Sequence, residues 1–238
     1  MNKIIVALIL STLCITISYA KLLVGTTGDY APFSIYDENI KSFSGEDIQL
    51  IKDFAKFKGE NVEFVKTTWK TAEQSLKDGL FDVFVGGVTI TLERQKLFVF
   101  SNPLASFNKS AMSLCENVDK YKNYQDIDSP NTLIIENRGG TNEKFALQKV
   151  RNAKILIIND NKQAIKSITE GIDGIRPDIM FTDTVEIAYQ HSINSKLCQI
   201  PVKVDNNISY KAFMFNKTEE GRELVKEFNQ WLKEKRQV

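Results

Sequence analysis

The sequence predicts an α/β fold made of two lobes, each a sheet covered by helices, with a ligand cleft between the lobes. Short apolar runs alternate with amphipathic helical patterns, which is typical of parallel strands connected by helices. The alternation runs β-α-β-α-β, breaks near residue 107 and resumes as β-α-β-α-β-α. We therefore expect residues 21–108 and 206–238 to form lobe 1, and residues 109–205 to form lobe 2.

The first 20 residues have the pattern of a secretory signal peptide and are left out of the predicted fold. Lys3 gives the positive start, residues 4–17 an apolar run, and residues 18–20 (SYA) a small-residue cleavage site. The apolar run is too short to favour a membrane span. We expect export to the periplasm, cleavage after Ala20 and no stable membrane anchor.

The charge balance of the mature chain excludes some classes of partner. The chain has 31 basic and 30 acidic residues, and removing Lys3 leaves 30 of each, a net charge of zero. No basic field is available for nucleic acid or for an anionic membrane surface. We expect a small-molecule partner and no nucleic acid, and the sequence leaves room for a homo-oligomer.

In lobe 1 the amphipathic pattern EDIQLIKDFAKFKG predicts a helix that ends at Gly59, and the apolar run FDVFVGGV predicts a strand that closes in glycines. The full set for the first part of lobe 1 is strands at 22–27, 62–68 and 81–88, helices at 46–59 and 71–79, and a helical turn at 91–97.

After the break, the segment 107–116 is predicted to be extended, and the alternation then resumes. The predicted elements are strands at 132–136, 153–159 and 177–183 and helices at about 142–151, 161–171 and 184–193. A strand at 211–217 and a helix at 219–236 then return the chain to lobe 1.

Ligands of open α/β sheets bind beyond the carboxyl ends of the strands. Four segments lie at such ends: 26–29, 86–89, 139–142 and 182–186. The last two leave alternatives open. The stretch GGTN at 139–142 is either a plain turn with a helix cap or a cradle of free backbone N–H groups for an anion. Asp183 and Glu186 are either a capping-box-like pair or acidic groups of a site.

Two cysteines remain after cleavage, Cys115 and Cys198, and they are interpreted either as a disulfide or as two buried thiols. No CxxC or Cys/His spacing suggests a metal, so no metal site is predicted. His191 is the only histidine. A nucleophilic Ser-His or Cys-His site would have to be built on it, and we expect it instead to be solvated on a helix.

Several segments resemble the family 3 solute-binding proteins, which are periplasmic receptors of amino-acid transporters. They are TTGDYAPFS (26–34), FSGEDIQLIKDFA (43–55) and TITLERQKLFVFSNP (89–103). The resemblance spans about residues 21–233 and implies the type II periplasmic-binding-protein fold. It also implies that Thr89 and Arg94, with Gly87 beside them, hold the carboxylate of a ligand.

One branch of this family, the exported cyclohexadienyl dehydratases, is similar over more segments. These are TTGDY, LERQ, SLCE, GGTNEKFA, TDTVE and YKAF. Enzymes of this branch convert prephenate to phenylpyruvate and arogenate to phenylalanine without a cofactor. The resemblance implies the same lyase activity, no cofactor, and a disulfide between Cys115 and Cys198.

The resemblance also assigns roles around the substrate. Glu186 is the predicted general acid that protonates the leaving hydroxyl. The remaining predicted substrate contacts are Thr141 and Asn142 for a carboxylate, Lys211 as a second cation, Asp183 for an ammonium group, Trp69 and Tyr30 as the wall for the ring, and Asp29. Two departures from the family pattern are Gly86, where a serine is usual, and residues 70–72 after the tryptophan.

The alternative function is a non-catalytic receptor that binds an amino acid and delivers it to an ABC permease. Thr89, Arg94, Thr141 and Asp183 are shared by both functions. Glu186, Lys211 and the complete GGTNEKFA segment favour the enzyme. An ABC permease is expected as a partner only under this alternative.

Overall fold

The structure is a computed structural model that describes residues 21–237. The predicted signal peptide and its cleavage site lie outside the described residues. None of the helices in residues 21–237 is both long enough and apolar enough to span a membrane.

The first part of the chain contains seven strands and three helices. They are β1 (Lys21–Thr26), β2 (Asp29–Tyr30), β3 (Ser34–Asp37), β4 (Ser42–Ser44), α1 (Glu46–Lys58), β5 (Asn61–Lys66), α2 (Ala72–Lys77), β6 (Val83–Phe84), α3 (Leu92–Leu97) and β7 (Phe98–Phe100). Helix α1 ends at Lys58, and the predicted stop residue Gly59 is its C-cap with φ 71°, because a glycine adopts the left-handed conformation without steric strain.

The second part begins with the longest strand and returns at its end to the first sheet. Its elements are β8 (Ala105–Leu114), a 3₁₀ helix (Cys115–Lys120), α4 (Tyr124–Ile127), β9 (Leu133–Asn137), α5 (Thr141–Lys149), β10 (Lys154–Ile158), α6 (Asn161–Glu170), β11 (Met180–Asp183), α7 (Thr184–Ile193), β12 (Leu197–Gln199), β13 (Ile208–Lys211), β14 (Met214–Asn216) and α8 (Glu219–Lys235).

Lobe 1 is built on a five-stranded sheet in the order β5-β1-β6-β14-β7. Strand β1 pairs in parallel with β5 and β6, and β14 pairs antiparallel with β6 and β7. Helices α1 and α8 cover this sheet, and Phe54, Phe228 and Trp231 pack together between them with ring centroids 5.1–5.7 Å apart. Burial of these aromatic side chains is the main source of stability for this layer.

Lobe 2 is built on β8, which pairs antiparallel with β11 and β12, and on the parallel pair β9 and β10. A bridge between Ile134 and Ile179 joins the two groups. The first half of β8 pairs antiparallel with β13, so these two strands carry the chain between the lobes. The predicted division into two α/β lobes is confirmed, and its limits at residues 108 and 206 stay predictions.

Three details of the predicted elements were wrong. The predicted strand 211–217 is two strands, because the chain leaves β8 at Lys211 and joins β6 and β7 from Met214 onward. The predicted strand 81–88 is regular only at Val83–Phe84, since the backbone N–H groups of Gly86 and Gly87 donate to the Asp47 side chain and not to a neighbouring strand. The parallel pairing expected throughout is found for β1 with its two neighbours, for β9 with β10 and at the single bridge between Ile134 and Ile179, and the other described strand pairs are antiparallel.

Candidate functional site

A narrow cavity, partly open to solvent, lies between the lobes. Its lining comes from both lobes: Tyr30, Trp69, Gly87, Thr89, Lys211, Asn137, Gly140, Thr141 and Asn142. Seven of the residues predicted to contact substrate are in this lining. The other four predicted site residues, Asp29, Arg94, Asp183 and Glu186, lie directly behind it in contacts described below.

Asp183 is the charged centre of the site. It ends β11, is 1% exposed, and its Oδ1 accepts a hydrogen bond from Lys109. Its Oδ2 accepts from Lys211 at 2.6 Å and also from the hydroxyl of Tyr30. Burial raises the pKa of Asp183, but the two ammonium groups outweigh burial and hold this pKa below its usual range. Asp183 is therefore a carboxylate at neutral pH.

Lys211 reaches the cavity from the end of β13. Its Nζ donates to Thr89 Oγ1 at 3.0 Å and lies 4.3 Å from the ring centroid of Phe107 and 4.6 Å from that of Tyr30. Burial lowers the pKa of Lys211, and the neighbouring Asp183 offsets part of that effect. The ammonium is thus held by an anion and two aromatic faces, as buried cations require.

Glu186 is fully buried one helical turn after Asp183. Its Oε1 accepts from Asn161 Nδ2 at 2.7 Å, and its Oε2 accepts from the Thr182 hydroxyl. Burial raises the pKa of Glu186 to about 8, with a further contribution from the charge of Asp183, against the lowering effect of the two hydrogen bonds. Glu186 is therefore mostly protonated at neutral pH.

A chain of hydrogen bonds connects Glu186 to the cavity. Asn142 Nδ2 donates to Thr182 Oγ1 at 3.2 Å, and Asn142 Oδ1 accepts from Lys109. The two acidic residues do not form the capping pair that was one interpretation of the sequence, because the Asp183 side chain makes no cap hydrogen bond in α7. Both side chains are instead used in contacts within the site.

The glycine stretch at 139–142 packs one lobe directly against the other. A Cβ on Gly139, which has φ 88°, would collide with the backbone of Lys70 in lobe 1. Gly140 is the N-cap residue of α5 and has no side chain to accept a hydrogen bond from the helix start. Thr141 and Asn142, the first residues of α5, also line the cavity. The backbone N–H of Gly139 already donates to Glu143 Oε2 at 2.6 Å. The N–H groups that could serve an anion are therefore those of the first turn of α5, beside the cavity wall, and the cradle stays a prediction.

Asp29 forms a second contact between the lobes. Its Oδ1 accepts from Trp69 Nε1 at 3.0 Å, and its Oδ2 accepts from the backbone N–H of Asn161 at 3.2 Å. Burial raises the pKa of Asp29, and the hydrogen bonds counteract that rise. The bond from Trp69 fixes the indole ring in the cavity wall, edge-on to Tyr30 with the ring centroids 5.7 Å apart.

Arg94 lies behind Thr89. Its Nη1 donates to the Thr89 carbonyl oxygen at 2.9 Å, and its Nε pairs with Glu73 Oε1 at 2.9 Å. The guanidinium is 3% exposed and lies outside the cavity lining. The sequence predicted this arginine for the site but did not predict a carboxylate partner from α2.

The glycine loop after β6 is held by a buried carboxylate. Asp47 Oδ2 accepts from the backbone N–H groups of Gly86 at 3.1 Å and Gly87 at 2.7 Å, and burial raises the pKa of Asp47 to about 6. A Cβ on Gly86 would lie 2.8 Å from the Cβ of Ser34. No serine fits at Gly86 in this conformation, and the Ser34 hydroxyl lies next to that position.

Cys115 and Cys198 form a disulfide, as the resemblance implied. It connects the start of the 3₁₀ helix to β12, away from the cavity lining. His191 is exposed, and its Nδ1 lies 2.7 Å from the carbonyl oxygen of Leu197. The disulfide uses both sulfur atoms, so this cluster of cysteines and histidine does not offer a metal site.

Some residues of the site were missed in the sequence: Lys109, Asn137, Asn161, Glu136 and Glu73. Thr182 lies in the strand-end segment 182–186 that the sequence indicated, but it was given no role. Lys109 could have been found, because a lysine in the middle of an apolar extended segment needs a partner. Glu136 is a similar case, since it is a fully buried acid at the end of an apolar strand and accepts from Phe181 N at 2.9 Å. Asn137 lines the cavity with its Oδ1 unpaired within the described residues.

Comparison with known proteins gives consistent results. A family model for bacterial extracellular solute-binding proteins, family 3, matches residues 22–237. Cyclohexadienyl dehydratase of Pseudomonas aeruginosa is 32% identical over 211 residues, which cover 89% of this chain and 76% of that protein. A probable amino-acid ABC transporter-binding protein of Haemophilus influenzae is 27% identical over 218 residues, which cover 91% of this chain and 79% of that protein.

A solved structure gives the same relationship in three dimensions. The crystal structure of the ancestral amino acid-binding protein AncCDT-1, a precursor of cyclohexadienyl dehydratase, is similar with a TM-score of 0.81 and 33% identity. The similarity covers 92% of this chain and 90% of that one. The similar proteins therefore include both an enzyme and amino-acid-binding proteins.

Proposed function

We propose that this chain, which belongs to the bacterial extracellular solute-binding proteins of family 3, is an exported cyclohexadienyl dehydratase. It would convert prephenate to phenylpyruvate, arogenate to phenylalanine, or both. Export to the periplasm with cleavage after Ala20 is part of the proposal. The reaction needs no cofactor, because the aromatic ring that forms drives the loss of water and carbon dioxide.

The single observation that carries the proposal is the full burial of the Glu186 carboxyl, which is hydrogen-bonded to Asn161 and Thr182 directly behind the cavity. The hydroxyl of the substrate is a poor leaving group unless it is protonated, so the reaction needs an acid that keeps its proton at neutral pH. With a pKa of about 8, the buried carboxyl of Glu186 meets that requirement. Its neighbours Thr182 and Asn142 connect it to the cavity.

The proposed reaction is one concerted elimination. Glu186 gives its proton to the ring hydroxyl, and the carbon–oxygen bond breaks to release water. The ring carboxylate leaves as carbon dioxide, and its bonding electrons complete the aromatic ring. The Glu186 carboxylate then regains a proton from solvent. No external oxidant or reductant is needed, because the electron pair released by decarboxylation replaces the pair that leaves with the hydroxyl.

The cations and aromatic rings of the cavity would hold the substrate. Two parts of the cavity are suited to the two carboxylates at opposite ends of one substrate molecule. One part consists of Lys211 and Thr89, with Arg94 behind them, and the other of the N–H groups of α5 at Thr141. Trp69 and Tyr30 would flank the ring and exclude water. Asn137 offers an unpaired carbonyl oxygen to a donor of the substrate.

The test is phenylpyruvate formation from prephenate at neutral pH by the purified mature chain, beside Glu186→Gln. A blank without protein is required because prephenate aromatises in acid. Glu170→Gln is the matched control, since Glu170 is an exposed glutamate that pairs with Lys166 on α6. We expect turnover to fall by about a hundredfold to ten-thousandfold in Glu186→Gln with an unchanged fold, and to persist in the control.

A non-catalytic amino-acid receptor is the second candidate, and one observation favours it. Glu186 is outside the cavity lining, and both of its oxygens already accept hydrogen bonds from the protein. A receptor would give no turnover, and an amino acid would raise its melting temperature. Turnover that is equal in the wild type and in Glu186→Gln would keep the enzyme and eliminate Glu186 as the acid.

A further inference from the structure

Arg94 already has a carboxylate partner from its own lobe. Its Nε pairs with Glu73 Oε1 at 2.9 Å. Glu73 lies in the first turn of α2, four residues after Trp69, whose indole lines the cavity. Both partners of the pair belong to lobe 1, so the pair persists whether the lobes are open or closed. Glu73 therefore acts constantly on the charge that Arg94 offers to a ligand.

The charges around the cavity nearly cancel. The cations are Arg94, Lys109 and Lys211. Glu73 and Asp183 are anions, and so is Asp47 below Gly87, because its pKa of about 6 leaves it mostly ionised at pH 7. The raised pKa of Glu186 leaves that group mostly neutral. The site therefore has no net charge, or one negative charge if Asp29 is counted as ionised. Without Glu73 it would have one positive charge more.

The two candidate substrates differ by one charge in the same place. Both have two carboxylates, but arogenate has an ammonium group where prephenate has a ketone. Arogenate is therefore a net monoanion and prephenate a dianion. A dianion leaves at least one negative charge uncompensated in this site, and an uncompensated charge is unfavourable in a water-poor cleft.

We propose that Glu73 is a specificity-determining residue that makes this site favour arogenate over prephenate. The inference rests on the proposed function and adds a substrate preference to it. Glu73, held beside Arg94, acts by its negative charge, which attracts the ammonium of arogenate and has no such partner in the ketone of prephenate. Its side chain is 31% exposed, so solvent screens the effect, and we expect about a tenfold influence on selectivity and no all-or-none switch.

The experiment measures kcat/KM for both substrates in the wild type and in Glu73→Gln. We expect the wild type to prefer arogenate. Glu73→Gln should shift the ratio toward prephenate about tenfold, mainly through a lower KM for prephenate. Glu73→Ala removes the same charge without introducing an amide, so it controls for new hydrogen bonds made by the glutamine side chain. The matched control is Glu63→Gln, which removes one charge from an exposed pair with Lys21 at 2.7 Å and should leave the ratio unchanged.

A binding measurement separates this inference from the activity. Phenylalanine and phenylpyruvate differ by the same charge as the two substrates, and their dissociation constants can be measured by calorimetry without turnover. Glu73→Gln should strengthen phenylpyruvate binding relative to phenylalanine about tenfold. Equal selectivity in the wild type and in both Glu73 variants would overturn the inference. If the protein has no turnover but shows the expected shift in binding, the proposed enzyme activity is wrong and the role of Glu73 in ligand selectivity stands.

Discussion

The hydroxyl of Tyr30 donates a hydrogen bond to Oδ2 of Asp183, and so joins two residues that are 153 positions apart in the chain. Tyr30 belongs to lobe 1 and Asp183 to lobe 2, so this bond exists only when the lobes are closed. The same carboxylate holds Lys109 and Lys211. The Asp183 carboxylate therefore both holds the lobes together through Tyr30 and neutralises the buried lysines.

Tyr30→Phe should favour the open form. The change removes a hydrogen bond to a charged acceptor, a loss of about 1.5–3 kcal/mol, and leaves the aromatic ring in place. We expect KM for the substrate to rise about tenfold and the ligand-free radius of gyration in solution scattering to increase. Tyr36→Phe is the control, since Tyr36 packs on Phe43 within lobe 1. Unchanged KM and radius in Tyr30→Phe would mean that the bond does not govern closure.

Turnover should fall as pH rises through the pKa of Glu186. Only the protonated carboxyl can donate to the leaving hydroxyl, and its pKa is about 8. We expect kcat to be nearly constant between pH 6 and 7 and to fall about tenfold per pH unit well above 8. A profile measured by phenylpyruvate absorbance that rises across this range would contradict Glu186 as the acid.

Glu186 should also make the fold less stable at high pH. Its pKa is raised from 4.5 to about 8 in the native state, so between these values the native state holds a proton that the unfolded state has lost. The free energy of unfolding contributed by this group therefore decreases as pH rises from about 4.5 to 8. Glu186→Gln should remove this slope, with its largest gain in melting temperature over the wild type at pH 9 and little gain at pH 4.

Asp183→Asn should be strongly destabilising at neutral pH. The change leaves Lys109 and Lys211 buried without their anion, which costs about 3–5 kcal/mol. The pKa of Asp183 is depressed, so its stabilising effect is present above the unfolded value of 3.8 and is lost as pH falls below it. Urea unfolding at pH 7 and pH 3 should show the difference between variant and wild type shrinking in acid.

The control for this prediction is Asp53→Asn. Asp53 also pairs with a lysine, Lys235, but at the protein surface. A surface pair of this kind contributes at most about 1 kcal/mol. Equal losses in the two variants would mean that burial adds nothing to the Asp183 pairs.

Gly87→Ala should impair the site more than Gly59→Ala. Both glycines have a left-handed backbone, with φ 75° and 71°, so each variant pays a similar conformational penalty of about 1 kcal/mol. At Gly87 the new Cβ would also lie 2.5 Å from Cδ1 of Tyr30, whereas nothing is within 4 Å at Gly59. We expect kcat/KM to drop at least tenfold only in Gly87→Ala, measured beside the melting temperatures of both variants.

Local patterns predicted most elements correctly because they depend on neighbours in sequence. Helix 184–193 has the predicted limits, and α1 ends one residue from the predicted position. Pairing direction was not predictable in this way. Strand β8 was correctly expected to be extended, but its antiparallel neighbours β11, β12 and β13 come from segments up to about 100 residues away. The sequence of β8 does not specify which of these strands pairs with each of its edges.

The candidate site was predictable where residues follow strand ends. Gly87, Thr89, Thr141 and Asn142 lie at such ends and line the cavity. Asn161 was missed because its sequence context is only that of a helix start, and its contact with Glu186 requires two helices to meet. Glu73 was missed for a similar reason, since α2 and α3 approach each other only in the folded lobe.

By itself the sequence determined the α/β class, the division near residue 107 and the segments from which a site could be built. These follow from side-chain periodicity and from backbone groups left free at strand and helix ends, which are local properties. Only the tertiary structure decided the protonation states. Asp183 stays ionised because two lysines from other strands reach it, and Glu186 keeps its proton because burial removes it from water. Both effects depend on distances that the chain sets only when it folds.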